Sequence, residues 1–497
     1  MGEREQRARR LPGRVVDIPA DEWAALPVTQ PRVAVAAPSA RPSQRWSRQA
    51  LTRQAPFALV FLLAIFLLTL NIATPWHSSH EDNGLVFESA AINHIRFGLG
   101  FTKGQDYFDL SVTQPAISPA SIHPQGVSDA QEFQYFLTGT THPELYGHHP
   151  ALLGLTIAGS LLVFGYHFWA VRLVPIAFTL GALLLFYRLM TLLFDRRSAA
   201  FASLLFITFP IAAYYGRNVA HEAPTMCCEM GMALCYLLWR RSGQRAWLLG
   251  IAGCVALGMA YGWPMLFFAW ILLALDFLAV RRFDWRLALA TGATATVVFA
   301  LVVAQIDWAG GGSLDSLRDA FFTRSSSPVA TQPLEWLKAL LTHNVEDFGP
   351  WTWLALPAAL FALWRRYRRE GLSPRVRVVA LFGLGGLAHI LAFREGAYIH
   401  DYWQFYLIPF YAAALGWMGV ELAHWLAAHP LLARVRAPGD AQTALLVVFA
   451  CAALLMAAPL IYHLYSGGSL LHFPGTEPVT PFGALSSPLA QAVALLP

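Results

Sequence analysis

"PALLGLTIAGSLLVFG", residues 150 to 165, decides how the rest of the chain is folded. It is apolar enough to count as a membrane crossing, yet a crossing needs roughly 20 such residues. Counted as a crossing, it reverses the side on which every later loop falls. Short cytoplasmic loops are enriched in Lys and Arg, which gives a test. If residues 150 to 165 lie on the membrane surface and the N-terminal tail is inside, the clusters "DRRS" at 195, "RRSGQR" at 240, "RRFDWR" at 281, "RRYRRE" at 365 and "ARVR" at 433 all fall inside. A crossing at 150 to 165 would put every one of them outside. The segment is therefore read as a juxtamembrane helix at the outer surface.

The composition agrees with a chain written for a bilayer. Hydrophobic residues make up 56% of 497, charged residues only 13%, and mean hydropathy is +0.46, so most of the chain does not cover a water-facing surface. Apolar runs lie near 55 to 74, 172 to 193, 198 to 215, 224 to 240, 247 to 262, 264 to 280, 287 to 304, 350 to 364, 378 to 393, 404 to 427 and 444 to 462, about eleven crossings in all. The expected fold is an all-α polytopic membrane protein. The net charge of +5 sits on the short basic clusters between runs, so it carries orientation and implies no nucleic-acid partner. All five cysteines (Cys227, Cys228, Cys235, Cys254, Cys451) lie in apolar stretches without metal-ligand spacing, where cysteine behaves as a small hydrophobe.

The chain divides into a disordered cytoplasmic tail, 1–54, and a membrane module, 55–304, with a long external loop at 75–170. A second external loop follows at 305–349, then C-terminal helices at 350–462 and an external tail at 463–497. No internal repeat or matched pair of broken helices suggests a carrier. Polar residues gather at the outer helix ends, whereas a transporter would place ionisable groups at mid-bilayer.

Glu81 and Asp82 stand where the first helix exits. "YYGRNVAHEAP", 214 to 224, puts Arg217, His221 and Glu222 in a short external turn, and "FREGAYIHDYWQFYLIPF", 393 to 410, adds Arg394, His400, Asp401 and Tyr402 on the same side. Lys103 is the one lysine of the first loop. His142, His148 and His149 resemble a metal cluster, but "HHP" ahead of a helix reads first as a capping and turn device, and no metal site is assigned.

The order of these pieces resembles the GT-C superfamily of glycosyltransferases, nearest to the protein O-mannosyltransferases and the lipid A aminoarabinose transferase. The resemblance rests on the acidic pair after the first span, the loop ending "YGHHPALLGLTIAGSLLVFGYHFWAVRLVPIAF", the turn "FDRRSAAFASLLFITFPIAAYYGRNVAHEAP" and the late "HDYWQFYLIP", over about residues 55 to 410. Here His149-Pro150-Ala151 stands where the family commonly has HPP, and Glu81-Asp82 where it usually has Asp-Glu.

The resemblance implies a polyprenyl-phosphate monosaccharide donor, undecaprenyl in a bacterium, and a lipid, glycan or protein acceptor. It also implies an active site on the external face of the plasma membrane. No phosphate-cradling glycine loop or DxD pair argues for a nucleotide sugar; no cofactor is required, and a divalent metal is compatible with the chemistry but not indicated. Asp82 is matched to the family's catalytic aspartate, the base that takes the acceptor's proton, with Glu81 and Glu222 as further catalytic carboxylates. Lys103, Arg217, Arg394 and His400 are expected to hold the donor phosphate, since charged donors to phosphate are the strong ones. Asp401, Tyr402 and His221 are expected to bind substrate. A polymerase or ligase of lipid-linked glycans is the competing enzyme, and a non-enzymatic transporter the competing class.

Overall fold

A chain in lipid must satisfy its backbone polar groups internally, and among open structures only helices do so. The structure, a computed structural model, describes residues 48–74, 76, 81–108, 144–325, 332–429 and 438–465, almost all of them helical. His142, the N-terminal residues 1–47 and the C-terminal residues 466–497 lie outside the described residues. In chain order the helices are α1 (Arg48–Thr69), α2 (Asp82–Thr102), α3 (Leu152–Phe164), α4 (Phe168–Leu193), α5 (Arg196–Thr208), α6 (Pro210–Tyr215), α7 (Glu222–Ser242), α8 (Arg245–Tyr261) and α9 (Met265–Val280). They continue as α10 (Trp285–Ala309), α11 (Asp315–Ser325), α12 (Pro333–Phe348), α13 (Thr352–Glu370), α14 (Pro374–Ala392), α15 (Arg394–Ile399), α16 (Asp401–Ala427) and α17 (Pro438–Tyr465). Two-residue strands, β1 (Tyr107–Phe108) and β2 (Glu144–Leu145), pair antiparallel and close the first loop.

Every apolar run lies on a helix, α5 and α6 sharing one that breaks at Pro210. Among the described residues, five helical segments are long and apolar enough to cross a membrane on length and composition alone: α4, α10, α14, α16 and Ala441–Tyr462 of α17. The segment that opened the question folds as α3. Its 13 residues extend about 20 Å, short of the roughly 30 Å of a hydrocarbon core. Leu153, Ile157 and Leu161 of α3 are buried against Phe87, Ala91 and Ile92 of α2 and Val171 of α4. Leu162 and Val163 are left exposed.

The loops that charge parity assigns to opposite sides are stitched within each set. On the side with the long loops, Lys103 Nζ donates to the Trp308 carbonyl (2.7 Å) and Trp263 Nε1 to that of His148 (2.8 Å). There too Trp336 Nε1 donates to the Arg394 carbonyl (2.9 Å). On the basic side, Arg197 Nη1 donates to Gln442 Oε1 (2.7 Å), and Arg241 Nη2 to the Leu192 carbonyl (2.7 Å).

Local chemistry sets the basic turns. Asp195 caps α5 by accepting from the amides of Arg197 and Ser198, and Asp284 caps α10 by accepting from those of Arg286 and Leu287, as short acidic side chains do at helix starts. Gly243 ends α7 at φ 65°, a left-handed conformation that glycine adopts without a Cβ clash. Beneath these turns Asp276 of α9 is almost fully buried and joins three helices. It accepts from Tyr236 Oη (2.6 Å), Arg240 Nε (3.0 Å) and Arg377 Nη1 (3.0 Å).

Candidate active site

The first acidic pair is divided by its surroundings. Glu81, immediately ahead of α2, is buried, and its Oε1 accepts from Arg172 Nη2 (3.1 Å) and Arg217 Nη2 (3.0 Å), both arginines also buried. Arg172 donates as well to the carbonyls of Ile72 (3.0 Å) and Thr74, and Arg217 to that of Leu70. The guanidinium groups lie over the rings of Trp76 and Tyr465 respectively. The exit of α1 is thereby fastened to α4 and to the turn before α7. Asp82 is the first residue of α2; its side chain lies outside the described residues. Arg217, expected on the donor phosphate, is thus placed on Glu81. Arg172 was not singled out in the sequence, although a charge near the start of an apolar run is the signal that finds such a residue.

A cavity of ≈ 460 Å³ opens on the long-loop side. One end is polar, with His148, His149, His221, Glu222, Arg324 and His389; the rest is aliphatic and aromatic, including Phe299, Leu317, Phe321 and Phe393. Backbone bonds hold the histidine pair in place. Gln105 Nε2 donates to the carbonyls of Tyr146 (2.9 Å) and His149 (3.0 Å), while Trp263 holds that of His148. Beneath the same loop, His94 Nε2 donates to the buried Asp106 (2.8 Å).

Arg324, on α11, reaches across the cavity. Its Nη1 donates to His149 Nε2 (2.9 Å) and its Nη2 to His148 Nε2 (3.3 Å), with the guanidinium 5.9 Å from the Trp403 ring centre. An imidazole nitrogen that accepts a hydrogen bond carries no proton, so both rings are neutral. Burial, reinforced by the nearby cation, pushes His148 down to about 3 and His149 well below its ordinary value. His221 stacks on His149 at 4.5 Å and 9° and is lowered to about 4, chiefly by burial. Among the described residues no group of three or more metal-ligating side chains comes together.

Glu222 opens α7, ahead of the apolar run at 224–240, and lines the same cavity. Its Oε2 is buried with no hydrogen-bond partner among the described residues. Burial pushes its carboxyl up to about 7, opposed by its own backbone amide and by Arg324. The cavity therefore has a cation bonded to neutral rings at one point and a carboxyl that favours its proton at another.

The other expected site residues are not among those that line this cavity. Lys103 is held at the end of α10, its Nζ bonded to the Trp308 carbonyl and 5.6 Å from the Trp308 ring centre. Arg394 is exposed at the start of α15. The His400 ring lies 5.1 Å from that of Tyr402 and 5.6 Å from that of Trp403. Asp401 is buried and accepts from Tyr215 Oη (2.7 Å) and the Tyr402 amide (2.7 Å), while Tyr402 hydrogen-bonds the Asn83 side chain. Asn83 follows Asp82, so this bond ties the late "HDYW" segment to the start of α2. Arg324 is the residue that the sequence reading missed: "LDSLRDAFFTR" is an ordinary amphipathic pattern, and nothing in it says which arginine meets the histidines.

The helical fold of the described residues is similar to that of solved GT-C membrane enzymes. The family model described as dolichyl-phosphate-mannose-protein mannosyltransferase matches residues 148–308. In structure the chain is similar to ArnT from Cupriavidus metallidurans, solved bound to undecaprenyl phosphate, with a TM-score of 0.53 at 14% identity over 83% of this chain and 78% of that one. It is also similar to the oligosaccharyltransferase AglB from Archaeoglobus fulgidus, solved with an inhibitory peptide and a dolichol-phosphate. There the TM-score is 0.53 at 14% identity over 85% of this chain and 56% of that one. No curated protein matches the chain.

Proposed function

We propose that the protein is a membrane glycosyltransferase that moves a monosaccharide from a polyprenyl-phosphate carrier to an acceptor hydroxyl on the outer face of the membrane. The observation that carries this reading is the cavity itself, apolar along most of its wall and closed at its polar end by Arg324 on two neutral histidines. An isoprenoid phosphate is an apolar chain ending in an anion, and the cavity offers a surface for each part. A guanidinium engages phosphate oxygens in pairs and resists deprotonation.

Asp82 acts as the base that takes the acceptor's proton as its oxygen attacks the anomeric carbon. Arg324, rather than Lys103, Arg217, Arg394 or His400, holds the leaving phosphate, because of these five it is the one that lines the cavity. His221 meets the sugar or acceptor from the cavity wall, and Asp401 and Tyr402 are assigned to substrate by the resemblance. The N-terminus lies in the cytoplasm of a bacterial cell and the site faces outward, where lipid-linked sugars rather than nucleotide sugars are met.

Mass spectrometry of envelope glycans and lipids from cells lacking the protein tests the activity. Loss of a single sugar substituent is expected, and an unchanged profile would count against the reading.

A further inference from the structure

Cleavage of a polyprenyl phosphate sugar turns a phosphodiester with one negative charge into a phosphomonoester with two, whose second pKa is near 6. Arg324 balances one of these charges. The other forms in a largely apolar cavity, where an uncompensated charge is costly. Glu222 and Arg324 line this cavity together, yet no ion pair joins them among the described residues. Arg324 bonds the two histidines instead, and Glu222 keeps one buried oxygen without a partner among the described residues. An ionised Glu222 would repel a phosphate held by Arg324, whereas a protonated one would donate to it.

Resting on the donor reading above, we propose that Glu222 is the general acid that protonates the leaving phosphate. The acceptor oxygen forms its bond to the anomeric carbon and its proton passes to the Asp82 carboxylate. The bond from the anomeric carbon to the phosphate oxygen breaks with its electron pair on that oxygen, and the Glu222 proton moves to the phosphate. The phosphomonoester departs as a monoanion on Arg324. Solvent returns a proton to Glu222 and removes one from Asp82.

Several other titratable groups face this carboxyl. Arg324 comes from α11, His148 and His149 from the loop before α3, and His389 from α14. Tyr146, Tyr402 and Tyr406 act on it electrostatically, and His221 precedes it. Between about pH 7 and 9 imidazoles of ordinary or lowered pKa are neutral, phenols keep their proton and a free phosphomonoester is a dianion. Within that window Glu222 is the group expected to change its proton on binding.

The probe is undecaprenyl phosphate, titrated calorimetrically into the full chain in lipid nanodiscs, in buffers of different ionisation enthalpy so that proton uptake is counted. Wild type is expected to take up close to one proton per lipid at the upper end of the window. Its affinity should fall about tenfold per pH unit there. Glu222→Gln is expected to bind without uptake and with an affinity independent of pH. Uptake unchanged in Glu222→Gln, or absent from a wild type that binds, overturns the acid role and leaves the donor reading standing. A wild type that does not bind overturns both. Should the Gln variant fail to fold by its thermal transition, Glu222→Asp answers the question: its affinity loss should begin at lower pH, and an unmoved profile overturns the proposal.

Discussion

Replacing Glu81 by Gln should destabilise the protein more than any loss of catalysis from that position would suggest. The carboxylate oxygen accepts from Arg172 and Arg217 at 3.1 and 3.0 Å, all three side chains being almost fully buried. A hydrogen bond to a charged group contributes about 1.5 to 3 kcal/mol and a neutral one about 0.5 to 1.5. The amide oxygen can still accept from both guanidinium groups, but both buried cations lose their counter-charge, and breaking a buried pair in this way costs about 3 to 5 kcal/mol. That is roughly a 150- to 5,000-fold shift in the unfolding equilibrium. Arg217→Met should cost less than a substitution that strands two arginines, because it leaves Glu81 paired with Arg172 and removes the surplus positive charge; breaking a buried pair is what costs most. The assay is SDS titration of the folded fraction in mixed micelles, run beside undecaprenyl phosphate binding. If Arg217→Met abolished lipid binding while Glu81→Gln left stability unchanged, the arginine would be a phosphate ligand and the clamp argument would be refuted.

Other outcomes follow from the same geometry. Arg324→Gln should weaken undecaprenyl phosphate binding at least tenfold, with partial recovery in Arg324→Lys, which keeps charge but not the fork; equal affinity in all three proteins would remove Arg324 from the donor site. Asp82→Asn should leave expression and lipid binding intact while lowering turnover on the order of a hundredfold, the usual scale for a lost general base, measured with radiolabelled lipid-linked sugar. Membrane-impermeant thiol labelling from the outer face should reach a cysteine placed at Ser128 and miss one at Ser373; the reverse pattern would invert the site. Because burial raises the folded-state Glu222 carboxyl from 4.5 to about 7, the folded state holds the extra proton between those values. Stability should therefore fall as pH rises through that interval, and Glu222→Gln should remove that part of the slope in a thermal-shift series.

The helices were legible in the sequence because lipid imposes one rule on the whole chain: apolar runs become helices and basic turns fix their direction. Hydropathy alone would have counted residues 150 to 165 as a crossing, and it was the sidedness of the later basic clusters that kept α3 out of the count. The site was legible only as far as its loops. His221, Glu222 and His149 were gathered on one side by parity, and the structure brings them to one cavity. Which arginine serves which acid was not legible, since Arg217 and Glu81 are 136 residues apart and their pairing depends on how α2, α4 and the turn before α7 pack. Arg217 next to a histidine and an acid reads as a free cation in one dimension. Arg324 on an amphipathic helix reads as a solvated charge, and only the histidine pair opposite it gives it another use.

The buried Asp276 network has a consequence for how the chain is made. Arg240 and Arg377 surround one aspartate, yet the three residues leave the ribosome at different times. Asp276 is synthesised 36 residues after Arg240, and Arg377 a further 101 after Asp276. At about 5 to 20 residues per second, Arg240 waits about 2 to 7 s for its acid, and Asp276 about 5 to 20 s for its second base. Asp276 and Arg240 meet only once α9 has returned beside α7. α14 therefore brings the last arginine to the network, after α7 and α9 have both been made, to an aspartate that still has room for one more donor.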